Sequence, residues 1–456
     1  MSAASGPDEE FQEAADQVYA DLLARIGEST PQPRLSATRR AVELLGDPHR
    51  SYPSVHVTGT NGKTSTSRII ESLLRAHGLR TGLLTSPHLA RVNERIVIDG
   101  EPIANEQLVQ NWADVQPYLL IVDAELTAAG EQPLSYFEAL TVLALASFAD
   151  APIDVAVIEV GMGGEWDSTN VVDGQVAVFT PVALDHVDRL GSTVEEIART
   201  KSGIIKPSAR IVSARQSEDV AAVLREAAEL SESELAVEGR NFGVVESAVA
   251  VGGQLLSVRG IAGRYDDQFL PLFGDHQAQN TAVAIAAVES FLGDGRHAIP
   301  GDVLAEGLAT VTSPGRLQLI GIEPSVIVDA AHNPHGAEAL TSAITEYFDF
   351  DEVAVVLGVL TDKDAAGIIA ALAPLATRFA VTQSSSERAI GFDELADEVE
   401  SLAPEADLGR FESVDEALTD ARAWASQGPR RAVLVTGSVT LVADAMAIAE
   451  RERWKP

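Results

Sequence analysis

The segment from Val55 to His77 constrains this chain more than any other. A short β-branched run, Val55-His56-Val57, leads into Gly59-Thr60-Asn61-Gly62-Lys63-Thr64, and an amphipathic helical pattern runs from Thr64 to His77 before Gly78. A strand feeding a helix through a glycine-rich turn belongs to a parallel sheet, with the turn at the carboxyl edge where ligands bind. Glycines let backbone N–H groups turn towards phosphate oxygens. The helix N-terminus adds the positive end of a dipole, and Lys63 adds a point charge. Thr64 offers a hydroxyl to Mg2+. The strict phosphate-loop pattern also has glycine at position 57, which is Val57 here, so this is a variant loop. A glycine-rich turn that holds no ligand is the alternative.

Composition narrows the class. At about 150 residues per domain, a chain of 456 residues has room for two or three units. The net charge of −35 argues against a nucleic-acid-coating or membrane-surface protein, since both need a basic footprint. It leaves room for an anionic ligand in a local electropositive pocket. Cysteine is absent, which removes disulfides, thiolate metal sites and cysteine nucleophiles together. No signal-peptide pattern and no apolar run of membrane-spanning length is present, so a cytoplasmic protein is expected, with no nucleic-acid or membrane partner. Only five of the 33 basic residues are lysines: Lys63, Lys201, Lys206, Lys363 and Lys455. Genomic base composition accounts for the bias, yet it makes each lysine worth locating.

The pattern along the chain is α/β. Residues 1–10 are small and acidic and are expected to fray. Helices are expected to about Ile26, from Ser36 (as N-cap) to Leu45, and over Ser135–Phe148. Strands are expected at Leu83–Thr85, Val155–Glu159 and Val176–Phe179, with an irregular stretch from Ser86 to Pro102. Val244–Val251, Gly252-Gly253 and Gln254–Val258 spell a hairpin, with Phe269–Leu272 as a third strand, and a helix follows from His276 to Phe291. After a hinge at Ser313-Pro314-Gly315-Arg316 the alternation restarts, with strands at 326–328, 353–357, 379–381 and 433–435. The expected domains are therefore 1–313 and 314–456. The first is a P-loop NTPase-like parallel sheet flanked by helices with a small antiparallel patch, and the second is a doubly wound, Rossmann-like domain.

Two further features carry chemistry. Glu159 ends an apolar strand and precedes Gly161-Met162-Gly163-Gly164, so its carboxylate falls at the ligand-binding edge, well placed for Mg2+. A surface glutamate closing a strand is the bland alternative. Strand 176–179 leads through Thr180-Pro181 to Asp185-His186, where His186 is either a metal ligand or a buried hydrogen-bonding histidine.

Taken together, these motifs resemble the Mur ligase superfamily of ATP-dependent amide ligases, and more closely its folate branch, the folylpolyglutamate synthase/dihydrofolate synthase family. The matching segments run in one order from about Arg39 to the C-terminus. They include Val57–Thr64, Thr85–Leu89, Asn93–Ile96, Ser135–Glu138, Glu159–Asn170, Leu184–His186 and Lys201–Ile204. Gly274–Gln277 with Asn280, Pro314–Arg316, Asp329–Pro334, Asp362–Asp364 and Gly437-Ser438 continue the series. The resemblance implies a ligase that activates a folate or dihydropteroate carboxylate with ATP and passes it to L-glutamate. It implies phosphate binding through Gly59, Thr60, Asn61, Gly62, Lys63 and Thr64, and ATP contacts from Asn280, Arg316 and Asp329. Thr64, Ser86, Glu159 and His186 would hold two Mg2+ ions. Lys201 would be carbamylated by CO2, the alternative being an ordinary salt-bridged lysine. His332 and Ser438 would orient the incoming glutamate, and a monomer is expected. Phe137 is either a border of the pterin pocket or a core aromatic.

Two departures stand out. The family usually has a basic residue after Gly163-Gly164, where this chain has Glu165, and Asp329-Ala330-Ala331-His332 has alanine where many relatives carry glycine. A cell-wall amino-acid ligase and a nucleotide-gated switch are the competing readings. The first resembles the chain mainly in the phosphate loop, and the second has no need of Lys201 and His186.

Overall fold

The structure, a computed structural model, describes residues 10–27 and 32–455, so the stretch expected to fray lies outside it apart from Glu10. The first sheet holds β1 (Ser54–Thr58), β2 (Thr81–Leu84), β3 (Ile96–Ile98), β4 (Glu101–Pro102), β5 (Val155–Glu159), β6 (Gly174–Phe179), β7 (Arg210–Ser213) and β8 (Glu234–Val237). Their order is β4-β3-β2-β5-β1-β6-β7-β8. All pairings are parallel except those of β3 and β4.

Both faces of this sheet are covered, so its strands read as near-continuous apolar runs. Alternation along each strand then sorts side chains between two cores. Val55, Val57, Val155, Val157, Val176 and Val178 pack under helices Lys63–Ala76, Asp275–Gly293 and Gly301–Ala309. Ala156 and Ile158 face the other way, under helices Gln12–Leu23, Ser36–Leu44, Asn105–Ala128 and Tyr136–Asp150. Because β1 lies between β5 and β6, the chain reverses direction across it. The carboxyl ends of these three strands therefore open a crevice.

A second sheet of β9 (Gly243–Ala250), β10 (Gly253–Arg259) and β11 (Arg264–Leu270) is antiparallel, as the hairpin pattern predicts. The third holds β12 (Gln318–Ile322), β13 (Ser325–Val328), β14 (Glu352–Leu357), β15 (Ala376–Val381), β16 (Asp407–Arg410) and β17 (Arg431–Thr436), in the order β12-β13-β17-β14-β15-β16. Helices cover both of its faces, which makes it doubly wound. Among the described residues no helix is long and apolar enough to cross a membrane.

The structure departs from the sequence reading in several places, of which three show a physical reason. Helix Asn105–Ala128 has no counterpart in the expected pattern. Leu120 and Ile121 are exposed beside buried Leu119 and Val122, and Pro117 sits inside the helix, so its 3.6-residue period is blurred. The stretch read as irregular contains β3 and β4, which are too short to show a strand period. Ser36 is the first residue of its helix rather than the cap, a position held by Leu35 without a side-chain hydrogen bond.

Phe148 is fully buried, packs edge-on against Tyr52 at 6.2 Å, and fills the space left above Gly82. Phe148→Ala is expected to cost about 3–5 kcal/mol, read as a fall in the urea midpoint for unfolding.

Candidate active site

The loop after β1 is built on close approach. Gly59 has φ +150°, and a Cβ there would lie 1.8 Å from Thr180 Oγ1. Gly62 has φ +84°, and a Cβ there would lie 2.5 Å from Asn280 Oδ1. Thr60 binds the neighbouring turn, its N–H donating to Pro181 O at 2.9 Å and its hydroxyl to Ala183 O at 3.0 Å. The Lys63 ammonium curls back over the loop, donating to Gly59 O at 3.3 Å and Thr60 O at 3.1 Å. Burial pushes its pKa down, against the opposing pull of Glu159 and Asp185. The ammonium thus sits over a ring of main-chain groups where a phosphate would find it.

Glu159 gathers the next group. It is buried, and both carboxylate oxygens accept from the Thr64 hydroxyl, at 2.8 and 3.1 Å. Oε2 also accepts from the Ser86 N–H at 3.2 Å. Burial raises its pKa, while Lys63, the Thr64 hydroxyl, the Ser86 N–H and Arg316 oppose that rise. Among the described residues no group of three or more His, Asp or Glu side chains forms a ready-made metal cage. One carboxylate with the Thr64 hydroxyl beside it is nevertheless a donor set suited to Mg2+, which takes its remaining oxygens from phosphate and water. The residues fit such an ion when a nucleotide shares it.

Lys201 is buried, and its Nζ donates to Gly59 O at 2.7 Å. It has no ion-pair partner within 4.0 Å among the described residues. Burial, helped by the charge of Lys63, pushes its pKa down to about 7. Much of it is therefore the neutral amine near neutral pH, and that is the form able to add CO2.

A third group joins the two halves of the chain. Asp185 Oδ1 pairs with Lys363 Nζ at 2.7 Å, and Oδ2 lies 3.7 Å from His332 Nε2 and 3.8 Å from His186 Nε2. Burial alone would raise the Asp185 pKa. The hydrogen bond from His332 and the charges of His186 and Lys363 instead hold it well below the usual carboxylate range. His186 is held at about 4, chiefly by burial, so its ring is neutral near pH 7. Asn61 of the phosphate loop exchanges amide hydrogen bonds with Asn333, at 3.2 and 3.0 Å, and lies 3.0 Å from His335 Nδ1. The Asn61 side chain is thus engaged across the domain boundary, leaving its backbone for a phosphate.

Asn280, Arg316 and Asp329 surround the hinge. Asn280 is buried against Gly62 and donates to Gln277 Oε1 at 3.1 Å. Asp329 accepts from the N–H groups of Leu317 at 2.9 Å and Ala331 at 2.8 Å, which pins the turn carrying Arg316. The Arg316 guanidinium acts on both Lys63 and Glu159.

Beyond these groups a cleft of about 1060 Å³ runs between the domains, reaching from Tyr19 and Phe137 to His332, Lys363 and Ser438. Phe137 lines it, and so does Asp167. A Cβ at Gly161 would lie 2.5 Å from the Phe137 ring and 3.2 Å from Asp167 Oδ2, so the glycine keeps that corner open. Ser438 is buried and caps helix Val439–Glu452, accepting from Leu441 N–H at 3.1 Å. Glu165, the charge-reversed departure, is exposed and does not line the cleft. A second cavity of about 300 Å³, between helix Glu218–Leu230 and β8, contains none of these groups.

Sequence reasoning left Asp185, Asn333 and Asp167 without roles and gave Lys363 only a place in a motif. The scarcity of lysine was the one signal that could have singled out Lys363.

Comparison with known proteins adds a second line. Residues 57–288 match the Mur ligase middle domain, and residues 315–439 match the Mur ligase glutamate ligase domain. The chain is 42% identical to the dihydrofolate synthase/folylpolyglutamate synthase of Mycobacterium tuberculosis, over 96% of this chain and 94% of that protein. The structure of M. tuberculosis folylpolyglutamate synthase complexed with ADP superposes with a TM-score of 0.92 at 40% identity, covering 96% of this chain and 99% of that one. Escherichia coli FolC in complex with DHPP and ADP superposes with a TM-score of 0.82 at 29% identity, covering 99% and 100%.

Any side chain at position 59 collides with Thr180. Gly59→Ala is expected to weaken ADP binding at least about tenfold, as measured by titration calorimetry.

Proposed function

The chain belongs to the Mur ligase family, and we propose that it is an ATP-dependent ligase adding L-glutamate to folates and also to dihydropteroate. One observation carries this reading. The loop with Lys63, Thr64 and Glu159 adjoins a cleft whose opposite wall, in the second half of the chain, presents His332, Lys363 and Ser438. The full-length match to folylpolyglutamate synthases favours it over a cell-wall ligase. We divide the chain into domains at 313/314, and we take the protein to act as a cytoplasmic monomer.

In the reaction a substrate carboxylate oxygen attacks the γ-phosphorus of ATP and ADP leaves, giving an acyl phosphate. The glutamate nitrogen then attacks the acyl carbon, and phosphate departs from the tetrahedral intermediate. No protein nucleophile is needed, so the protein's work is positioning and charge stabilisation. Lys63 binds the β- and γ-phosphates above the loop from Gly59 to Thr64. Asn280, Arg316 and Asp329 contact ATP from the hinge. Thr64, Ser86, Glu159 and His186 would hold two Mg2+ ions, whose chemistry is to neutralise phosphate charge. His186 suits this role because its ring is neutral.

Lys201 is proposed as a carbamate, which turns a cation beside the phosphate loop into an anion. The pterin ring is proposed to lie by Phe137 and Asp167, at the corner that Gly161 keeps open. At the other end, Lys363 and Ser438 receive the incoming glutamate. His332, whose Nδ1 lies 2.9 Å from Ala330 O and whose Nε2 faces Asp185 at 3.7 Å, orients that glutamate.

The test is to incubate the protein with ATP, Mg2+, L-glutamate and either dihydropteroate or tetrahydrofolate, then read product masses. Addition of one glutamyl residue is expected, with ADP release that requires both acceptor and glutamate. ATP binding without amide formation in any mixture would instead favour a nucleotide switch. Lys63→Ala and Glu159→Ala are each expected to lower turnover at least about 100-fold without unfolding the protein.

Lys201, with a pKa near 7, is mostly protonated at pH 6 and mostly neutral at pH 8. Incorporation of labelled CO2 is therefore expected to fall as pH drops across that range. Short carboxylates are expected to restore activity to Lys201→Ala, and a variant that no carboxylate rescues counts against the carbamate.

A further inference from the structure

The side chain of Asp185 belongs to the nucleotide-binding half of the chain, yet its contacts point mostly to the other half. Its carboxylate is nearly buried and pairs at 2.7 Å with the equally buried Lys363 ammonium. The same carboxylate accepts from Asn333 Nδ2 at 3.4 Å and lies 3.7 Å from His332 Nε2. His332 and Asn333 follow β13, whereas Lys363 follows β14, and β17 separates those two strands in the sheet. A single carboxylate from the first domain therefore holds two C-terminal-domain segments that are not neighbours in their own sheet.

A buried ion pair of this kind is a poor source of stability, because removing both charges from water offsets most of their attraction. Its effect here is on placement. An ammonium has three donors, and Asp185 is the only carboxylate paired with Lys363 among the described residues, so donors remain for a ligand in the cleft that Lys363 lines. The His332 ring is held from both sides, by Ala330 O at Nδ1 and by Asp185 near Nε2.

We propose that Asp185 is the positioning residue of the glutamate-receiving pole. It holds the Lys363 ammonium beside the His332 imidazole, so that the ammonium meets the α-carboxylate of one incoming amino acid. This rests on the ligase reading above. Asp185 itself touches no substrate and acts through Lys363 and His332. The glutamate site is then complete only when the first domain supplies this carboxylate.

The experiment begins with wild-type protein, for which ADP release must depend on glutamate. A wild type without that dependence removes the ligase reading, and this proposal with it. Asp185→Asn keeps the shape and removes the charge. The Michaelis constant for glutamate is expected to rise at least about tenfold, while ADP affinity by calorimetry stays within about twofold of wild type. Lys363→Gln is expected to raise the same constant. The double variant should lose little beyond Lys363→Gln alone, because the two residues act as a unit.

Asp185→Asn with an unchanged glutamate constant overturns the proposal. So does an equal loss of ADP affinity, which would mark Asp185 as general domain glue, and so do additive losses in the double variant. If Asp185→Asn does not fold, Lys363→Gln decides alone, since an unchanged glutamate constant there removes the group that Asp185 is held to position.

Discussion

A carboxylate buried as deeply as Glu159 is costly unless it is partnered, and its partners assemble the rest of the site. Thr64 comes from the helix after β1, Ser86 from the turn after β2, and Glu159 itself from the end of β5. Lys63 and Arg316 add the opposing charge, and Arg316 comes from the hinge to the second domain. Four separate segments must therefore be in register before Glu159 is satisfied. Parallel strands suit this task, since all their carboxyl ends open on one edge. The crevice between β5, β1 and β6 brings Gly59, Glu159 and Thr180 together.

Much of this was legible in the sequence because it is local. The phosphate loop announces itself through two glycines whose positive φ values and near-contacts with Thr180 and Asn280 leave no room for a side chain. Glu159 is legible as the charged end of an apolar strand, and the antiparallel patch as a hairpin around Gly252-Gly253. Illegible features are those made by distance or by blurred period. Asp185 and Lys363 are separated by 178 positions, and no local pattern links them. Asn61 and Asn333 are further apart still, by 272. Helix Asn105–Ala128 hid because exposed Leu120 and Ile121 interrupt its apolar stripe. Glu165 reads as a charge reversal in the loop after Glu159, whereas the structure leaves it exposed and outside the cleft. That is a matter of backbone direction, which composition does not encode.

The net charge of −35 and the site obey different rules. On the exterior, carboxylates outnumber cations and many exposed arginines pair with them, as Arg410 does with Asp393, Asp397 and Glu400. Inside, burial weakens cations that would otherwise be permanent. Lys63 and Lys201 are both pushed down in pKa, and one of them reaches the neutral range. An acidic shell around anionic substrates thus depends on a few interior cations whose state the interior itself sets.

The amide pair between Asn61 and Asn333 has a consequence of its own. It is the point where the second domain meets the phosphate loop, and it is made without charge. A lysine or arginine there would compete with Lys63 for phosphate, and an acid would repel it. Two amides do neither. Ionic strength, which screens charged contacts at a surface, has little purchase on them. The seam between the domains at the loop is therefore aligned by shape and hydrogen-bond direction rather than by charge.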